Sequence, residues 1–246
     1  LPLPELPFQD LYGHVCLVCE NTDENTDEKR LLVIGGRSNN VDVNTIYATQ
    51  LTHPFRSELL SNMPQPIRHH GAVTMYGKIF IIGGITGQAT RNNVLVFDPQ
   101  ANSEIVDPYR ELNPLQYAVS HMATTVCDDN VFILGGIDNE GNVLNTAIMY
   151  NVTAGVSIRL PNMTTRRYGC TAVTIGKNII VMGGVVETGV TIGKNIIVMG
   201  GVVETGAHLN SAECYEFERG TPWAAFPAMI MPRACATAAR CNISLP

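Results

Sequence analysis

Apolar residues along the chain gather in short runs, each closed by a glycine pair. The runs are RLLVIGG (30–36), KIFIIGG (78–84), NVFILGG (130–136) and NIIVMGG (178–184), with a copy of the last at 195–201. The first four doublets are spaced by 48, 52 and 48 residues, and the fifth follows 17 later. A fixed order of segments surrounds each run. A small, apolar stretch comes first: GHVCLVC, HHGAVTMY, SHMATTVC or YGCTAVTI. A tight turn follows, such as Tyr76-Gly77-Lys78 or Asp128-Asp129-Asn130, then the Gly-Gly run, then a polar loop. A third stretch is led by Asn and carries an aromatic or apolar side chain: NTIYATQ, NNVLVFD, NTAIMYN, NSAECYE. A fourth closes the unit near Met or Pro: ELLSNMP, YRELNP, IRLPNM, WAAFPAM.

Runs of this length with turn residues between them predict strands. Four strands per repeat predict the blade of a β-propeller. The first strand is small because inner strands crowd an axis. The second is apolar on both faces, as a strand covered on both sides should be. The glycine pair ends it where backbone turns sharply or another chain segment comes close. The expected class is therefore all-β, in one propeller domain over 1–246. Its repeats run at about 13–60, 67–112, 117–160 and 166–226, with a partial unit at 233–246. Edge strands at both ends read as an incomplete propeller, and unpaired edges are costly.

The stretch 173–189 is repeated without substitution at 190–206. One copy holds a hairpin and no third or fourth strand, so it is half a blade. The second copy is surplus to the repeat and is expected to carry no function of its own. A smaller duplication, NTDENTDE at 21–28, only lengthens a polar hairpin loop.

Composition narrows the partners. The 246 residues carry a formal net charge of −6 and no run of Lys or Arg, which disfavours nucleic acid and anionic membrane. The opening LPLPELPFQD has no basic leader region, and no apolar run nears the roughly 20 residues that span a bilayer. A cytoplasmic protein without a membrane anchor is expected. The seven cysteines, Cys16, Cys19, Cys127, Cys170, Cys214, Cys235 and Cys241, then read as reduced thiols. Cys16 and Cys19 point to opposite faces of a strand and have no second CxxC to complete a zinc site. The sequons at Asn151, Asn162 and Asn242 read as chance matches.

No GxSxG, P-loop or HExxH occurs, and the glycine pairs lack the following helix that phosphate binding needs. His14, His70 and His121 stand just before the first strand of three successive units. They are weak candidates for a metal arc. The plainer reading is turn or lining residues, so no metal and no cofactor are expected.

The order of segments resembles kelch repeats over nearly the whole chain. The resemblance is sharpest at LNSAECYEFERGTPW (209–223), VFDPQANS (96–103) and the Gly-Gly strands, and its pattern is nearest to the kelch domain of kelch-like BTB proteins. Trp223 fills the family's fourth-strand Trp position; Phe55, the 105–109 stretch and Val156–Ile158 stand in elsewhere. The resemblance implies a protein-interaction module whose loops at one propeller mouth read a partner peptide, with acidic segments the expected class. A cullin ligase substrate adaptor is its specific form. The alternatives are a kelch-fold copper oxidase or sugar-acid epimerase, and a cytoskeletal scaffold. Carried onto this chain, the readers are Arg37 and Asn39 after the first Gly-Gly strand, then Arg68, Tyr117, Arg166, Arg167, Tyr168 and Arg233 before first strands. Guanidinium forks suit carboxylates. Any single Arg here can instead pair with a neighbouring blade's acid and simply stitch blades together.

Overall fold

The computed structural model of the chain describes residues 6–8, 10–53, 55–101, 106–184, 212–217, 220 and 222–226, apart from the loop 21–28. That loop, the surplus copy 190–206 and the end strand at 233–246 with Arg233 lie outside the described residues. Within them the protein is all-β, with no helix.

Four antiparallel sheets follow one another along the chain, each a meander of four strands. The first sheet comprises β1 (Val15–Glu20), β2 (Lys29–Ile34), β5 (Thr45–Gln50) and β6 (Ser57–Asn62), with a two-stranded ribbon of β3 (Arg37–Ser38) and β4 (Val41–Asp42) in its loop. The second comprises β7 (Gly71–Met75), β8 (Lys78–Ile82), β11 (Val94–Phe97) and β12 (Tyr109–Leu112), with a ribbon of β9 (Ile85–Thr86) and β10 (Ala89–Thr90). The third is β13 (Ala123–Cys127), β14 (Asn130–Leu134), β15 (Ala147–Asn151) and β16 (Val156–Arg159). The fourth is β17 (Thr171–Ile175), β18 (Asn178–Met182), β19 (Ala212–Glu216) and β20 (Ala224–Phe226). The two ribbons replace what the sequence pattern left as plain polar loops. Their pairing joins Arg37 to Asp42 and Ile85 to Thr90 in register.

The chain forms two compact units, residues 1–120 and 121–246. Within the first, β1 runs beside β7; within the second, β13 runs beside β17. Small first strands therefore neighbour one another, as the crowding argument requires. Burial is deep in the second strands β14 and β8: all five residues of β14 are covered, and four of five in β8. Leu32, Ile34, Ile46, Met63, Ile79, Ile81 and Phe97 form the core of the first unit, and Phe132, Leu134, Met163, Ile179, Val181 and Trp223 that of the second.

Two devices repeat with the sequence. Asn44, Asn92 and Asn145, which lead the third strands, each donate from Nδ2 at 2.9 Å to a carbonyl at the start of the next connection: Met63, Leu115 and Met163. This pins the loop that carries the chain to the following sheet. Outer-strand aromatics reach back to the preceding sheet and its exit. Tyr109 stacks on Phe97 and donates to Ser61 Oγ at 2.9 Å, and Trp223 stacks on Tyr215 and donates to the Pro161 carbonyl at 2.9 Å. Tyr109 thus takes the Trp role in the second sheet, whereas Val156 and Ile158 stay half exposed on β16.

Candidate functional site

The glycine doublets build the site's frame. The four among the described residues, at 35–36, 83–84, 135–136 and 183–184, have both glycines at positive φ, between 56° and 106°. Space demands glycine too. A Cβ on Gly35 would stand 2.5 Å from the Ile67 carbonyl oxygen, and one on Gly135 2.3 Å from that of Arg167. In three of the pairs the second glycine donates to the connection leading to the next sheet: Gly36 to Ile67, Gly84 to Val119 and Gly136 to Arg167, each at 2.8 Å. These bonds fix which residues are equivalent. Ile67, Val119 and Arg167 share one position, and Arg68, Ser120 and Tyr168 share the next.

Arg68 and Arg167 are therefore not equivalent, although both precede a first strand. Arg167 occupies the place of Ile67 and Val119 and is wholly buried. Its guanidinium donates to Glu213 Oε1 at 2.9 Å and to the Gly183 carbonyl at 2.8 Å, and Glu213 also accepts the Thr164 and Thr165 N–H groups at 2.6 and 3.0 Å. Its backbone is bonded to the third sheet and its side chain to the fourth. It stitches sheets, and we leave it out of any reading surface. Arg166 is exposed and donates to the Val143 carbonyl at 2.9 Å. Tyr168 is half-buried with its ring edge-to-face to His121. Tyr117 is half-buried in the 113–119 connection of the first unit.

In the first unit one carboxylate organises the loops. Asp42, at the end of the β3–β4 ribbon, accepts from Arg37 at 3.1 Å, from Arg68, and from the Gly87 N–H at 3.2 Å. Arg37 also donates to the Asn40 carbonyl at 2.7 Å. The Arg37 and Arg68 side chains keep 27% and 15% of their surface exposed, against 8% for Asp42. Asn39 stands exposed at φ 47°, its N–H held by Asp10, which also accepts from Ser38 Oγ at 2.8 Å. Arg37, Asn39 and Arg68 thus lie together on one loop cluster. Asp42 was missed in the sequence pattern, although its place five residues after Arg37 on a short ribbon is the signal that could have found it.

The histidines separate. His14 and His70 immediately precede β1 and β7, but His121 stands two residues before β13. It occupies the left-handed turn position (φ 56°) that His69 (φ 51°), Gly13 and Gly169 fill elsewhere. Met122 and Cys170 are the true counterparts of His14 and His70, so the three histidines do not form a register-matched arc. His70 is 4% exposed, and neither ring nitrogen meets a hydrogen-bond partner. Burial, helped by neighbouring His69 and His14, pushes its pKa down to about 3. Burial likewise lowers His14, and it lowers His69 with Arg68 assisting against Asp42. Among the described residues, no three His, Cys, Asp or Glu side chains group as a metal set. The described cysteines are free thiols, and no helix among the described residues is long and apolar enough to cross a membrane.

A repeat of four-stranded meanders, doublets pinned to the next connection and loops projecting beside them define a kelch-type β-propeller. The family model of the KLHDC2/KLHL20/DRC7 Kelch-repeats domain matches residues 7–184, and the chain belongs to that kelch-repeat family. It is 26% identical to Kelch repeat and BTB domain-containing protein 12 of Danio rerio over 53% of this chain and 23% of that protein. Kelch-like protein 35 of Mus musculus is 28% identical over 58% and 24%, and Kelch repeat protein C2 of a camelpox virus 28% identical over 59% and 28%. The matched part thus spans about a quarter of each of these relatives. The solved structure of YjhT shares the fold at a TM-score of 0.67 and 12% identity, covering 94% of this chain and 69% of that one.

Proposed function

We propose that the chain recognises a partner protein by binding an acidic peptide segment at the loop cluster of its first unit. Arg37, Asn39 and Arg68 make the first contacts, and Tyr117 of the same unit adds an aromatic one. The observation that carries this reading is the shared carboxylate. Two guanidiniums divide one Asp42 and keep 27% and 15% of their side chains exposed, so N–H donors remain for a visiting carboxylate in a chain whose net charge is −6. Such donors orient an acidic ligand whatever the overall charge. Arg166 and Tyr168 in the second unit, and Arg233 outside the described residues, are further candidate partner contacts, each taken by itself. The chain acts as a binder rather than an enzyme, in the cytoplasm. Kelch-like BTB relatives support its specific form, the substrate-recognition part of a cullin ligase adaptor.

The test is quantitative affinity capture with the full chain and with Arg37→Ala/Arg68→Ala. Loss of a defined partner set in the variant, with thermal melting retained, supports the reading. Identical partner sets for the two proteins overturn it.

A further inference from the structure

We infer that Arg91 is the specificity-determining residue of this loop cluster and takes a carboxylate of the partner peptide. The inference rests on the reading just proposed and names the group that makes it acid-selective.

Three backbone positions are made equivalent by the same pair of hydrogen bonds. Val43, Arg91 and Leu144 each donate N–H to the second glycine of their doublet, Gly36, Gly84 and Gly136, at 2.8–2.9 Å. Each then accepts from the next connection: from Ile67 at 3.2 Å, Val119 at 3.0 Å and Arg167 at 2.9 Å. In the sequence pattern Leu209 stands at the same place in the fourth repeat. The repeat therefore asks for an aliphatic side chain here, half-buried at Val43 and Leu144, and the second repeat alone breaks the rule.

The exception is costly. Arg91 is half-buried and, like Arg37 and Arg167, has a buried Nε with no hydrogen-bond partner, but unlike them it pairs with no carboxylate among the described residues. A charged group without a partner in such a place lowers stability. Where a repeat abandons its own pattern against stability, function is the expected compensation. The neighbourhood fits. Arg91 N–H bonds to Gly84, and the adjoining Ile85 pairs with Arg68 in both directions at 2.8 and 3.0 Å. Arg68 and Arg91 thus flank one backbone step. Asp42 is already divided between Arg37 and Arg68, so among the described residues the Arg91 fork is the one in this cluster without an internal acid. A planar fork with parallel donors takes a carboxylate in bidentate geometry.

Panning a phage-displayed random peptide library on the full chain, on Arg91→Leu and on Arg37→Ala/Arg68→Ala tests this. Leu is the repeat's own residue, so Arg91→Leu should melt at or above the wild-type temperature; Arg91→Gln serves as a second variant if it does not. The wild type should enrich peptides with Asp or Glu at one fixed position. The best synthetic peptide should bind Arg91→Leu at least about tenfold more weakly, the loss of one charge-assisted contact. Its acid-to-amide version should bind both proteins alike. Equal affinity for Arg91→Leu, with acid selection lost only in the Arg37/Arg68 variant, overturns the role of Arg91 and leaves the proposed function standing. No enrichment on any of the proteins overturns both.

Discussion

Arg68 and Arg167, one in each unit, have similar sequence surroundings, yet they live in different solvents. Each lies in the connection entering a sheet, with its backbone bonded to one sheet and its guanidinium reaching toward another. Arg167 and Glu213 keep 0% and 3% of their side chains exposed, whereas Arg68 and its partner keep 15% and 8%. The cause is one residue of register. Arg167 stands where Ile67 and Val119 point inward, and Arg68 stands one place later, at the loops. A guanidinium driven into the core must find its charge partner within the protein; one at the rim can keep donors for a visitor. Removing one partner of the buried pair should therefore have the largest effect of all. Glu213→Ala should cost about 3–5 kcal/mol in urea unfolding, because Arg167 is left charged and dry. Combining Arg167→Ile with Glu213→Val should recover much of that loss, since the repeat accepts Ile here. A cost below about 1 kcal/mol for the single change would mean that water reaches the pair, and the contrast would fail.

That register could not be read from the sequence, although the architecture could. The doublets, the leading Asn residues and the aromatic on the outer strand each correspond to a hydrogen bond or steric limit that recurs in the structure, so repetition made them visible. Placement of single side chains was harder. RRYG and IRHHG each put an arginine within a few residues of a first strand, and only the bond from the second doublet glycine to the connection says which residue points inward. The same one-residue offset misaligned His121 with His70. Asp42 and Glu213, the acids that decide what each arginine does, carry no pattern of their own, because each serves a local cluster that does not recur from repeat to repeat. Arg91 was visible in principle as a break in the aliphatic series Val43, Leu144, Leu209.

Two buried titratable groups, one in each unit, respond differently to acid. His70 and Cys170 occupy equivalent places before β7 and β17, both buried, but they titrate in opposite senses. Burial holds His70 neutral with a pKa of about 3, below its ordinary value, and lifts the Cys170 thiol to about 11, so that it stays neutral throughout the acid range. The unfolded chain protonates His70 near pH 6.5, while the folded chain resists until pH nears 3. Stability is thus full above about pH 6.5 and falls as pH drops through that window, by about 1.4 kcal/mol per unit once the unfolded histidine is charged. Near pH 5 the loss is about 2 kcal/mol. Replacing His70 with Met, as at Met122, should flatten this slope in denaturation curves measured between about pH 7 and pH 4.5. An unchanged slope would assign the acid sensitivity elsewhere.

The rim cluster should respond more mildly and in two directions. Asp42→Asn removes a mostly covered carboxylate from Arg37, Arg68 and the Gly87 N–H, and should cost about 1–2 kcal/mol in stability. It also releases two guanidiniums, so the same variant should bind acidic peptides more tightly, with a steeper dependence on salt. Titration calorimetry at two ionic strengths separates the effects. Weaker binding by Asp42→Asn would show that the carboxylate positions the arginines rather than competing with the ligand.

The smallest effect is expected where an ion pair spans the same two sheets as Arg167–Glu213 but does so in water. Lys177, in the turn between β17 and β18, pairs with Asp128, in the turn between β13 and β14, and the two side chains are 39% and 48% exposed. Topologically this contact matches the buried bolt, joining the third sheet to the fourth. Physically it does not, since both groups are already solvated and gain little by meeting. Lys177→Ala should shift the urea midpoint by no more than the equivalent of about 0.5 kcal/mol, and that shift should vanish in high salt. A loss near that of Glu213→Ala would mean that linkage between sheets matters more than the dielectric around it. The difference between Arg68 and Arg167 would then need an explanation other than burial.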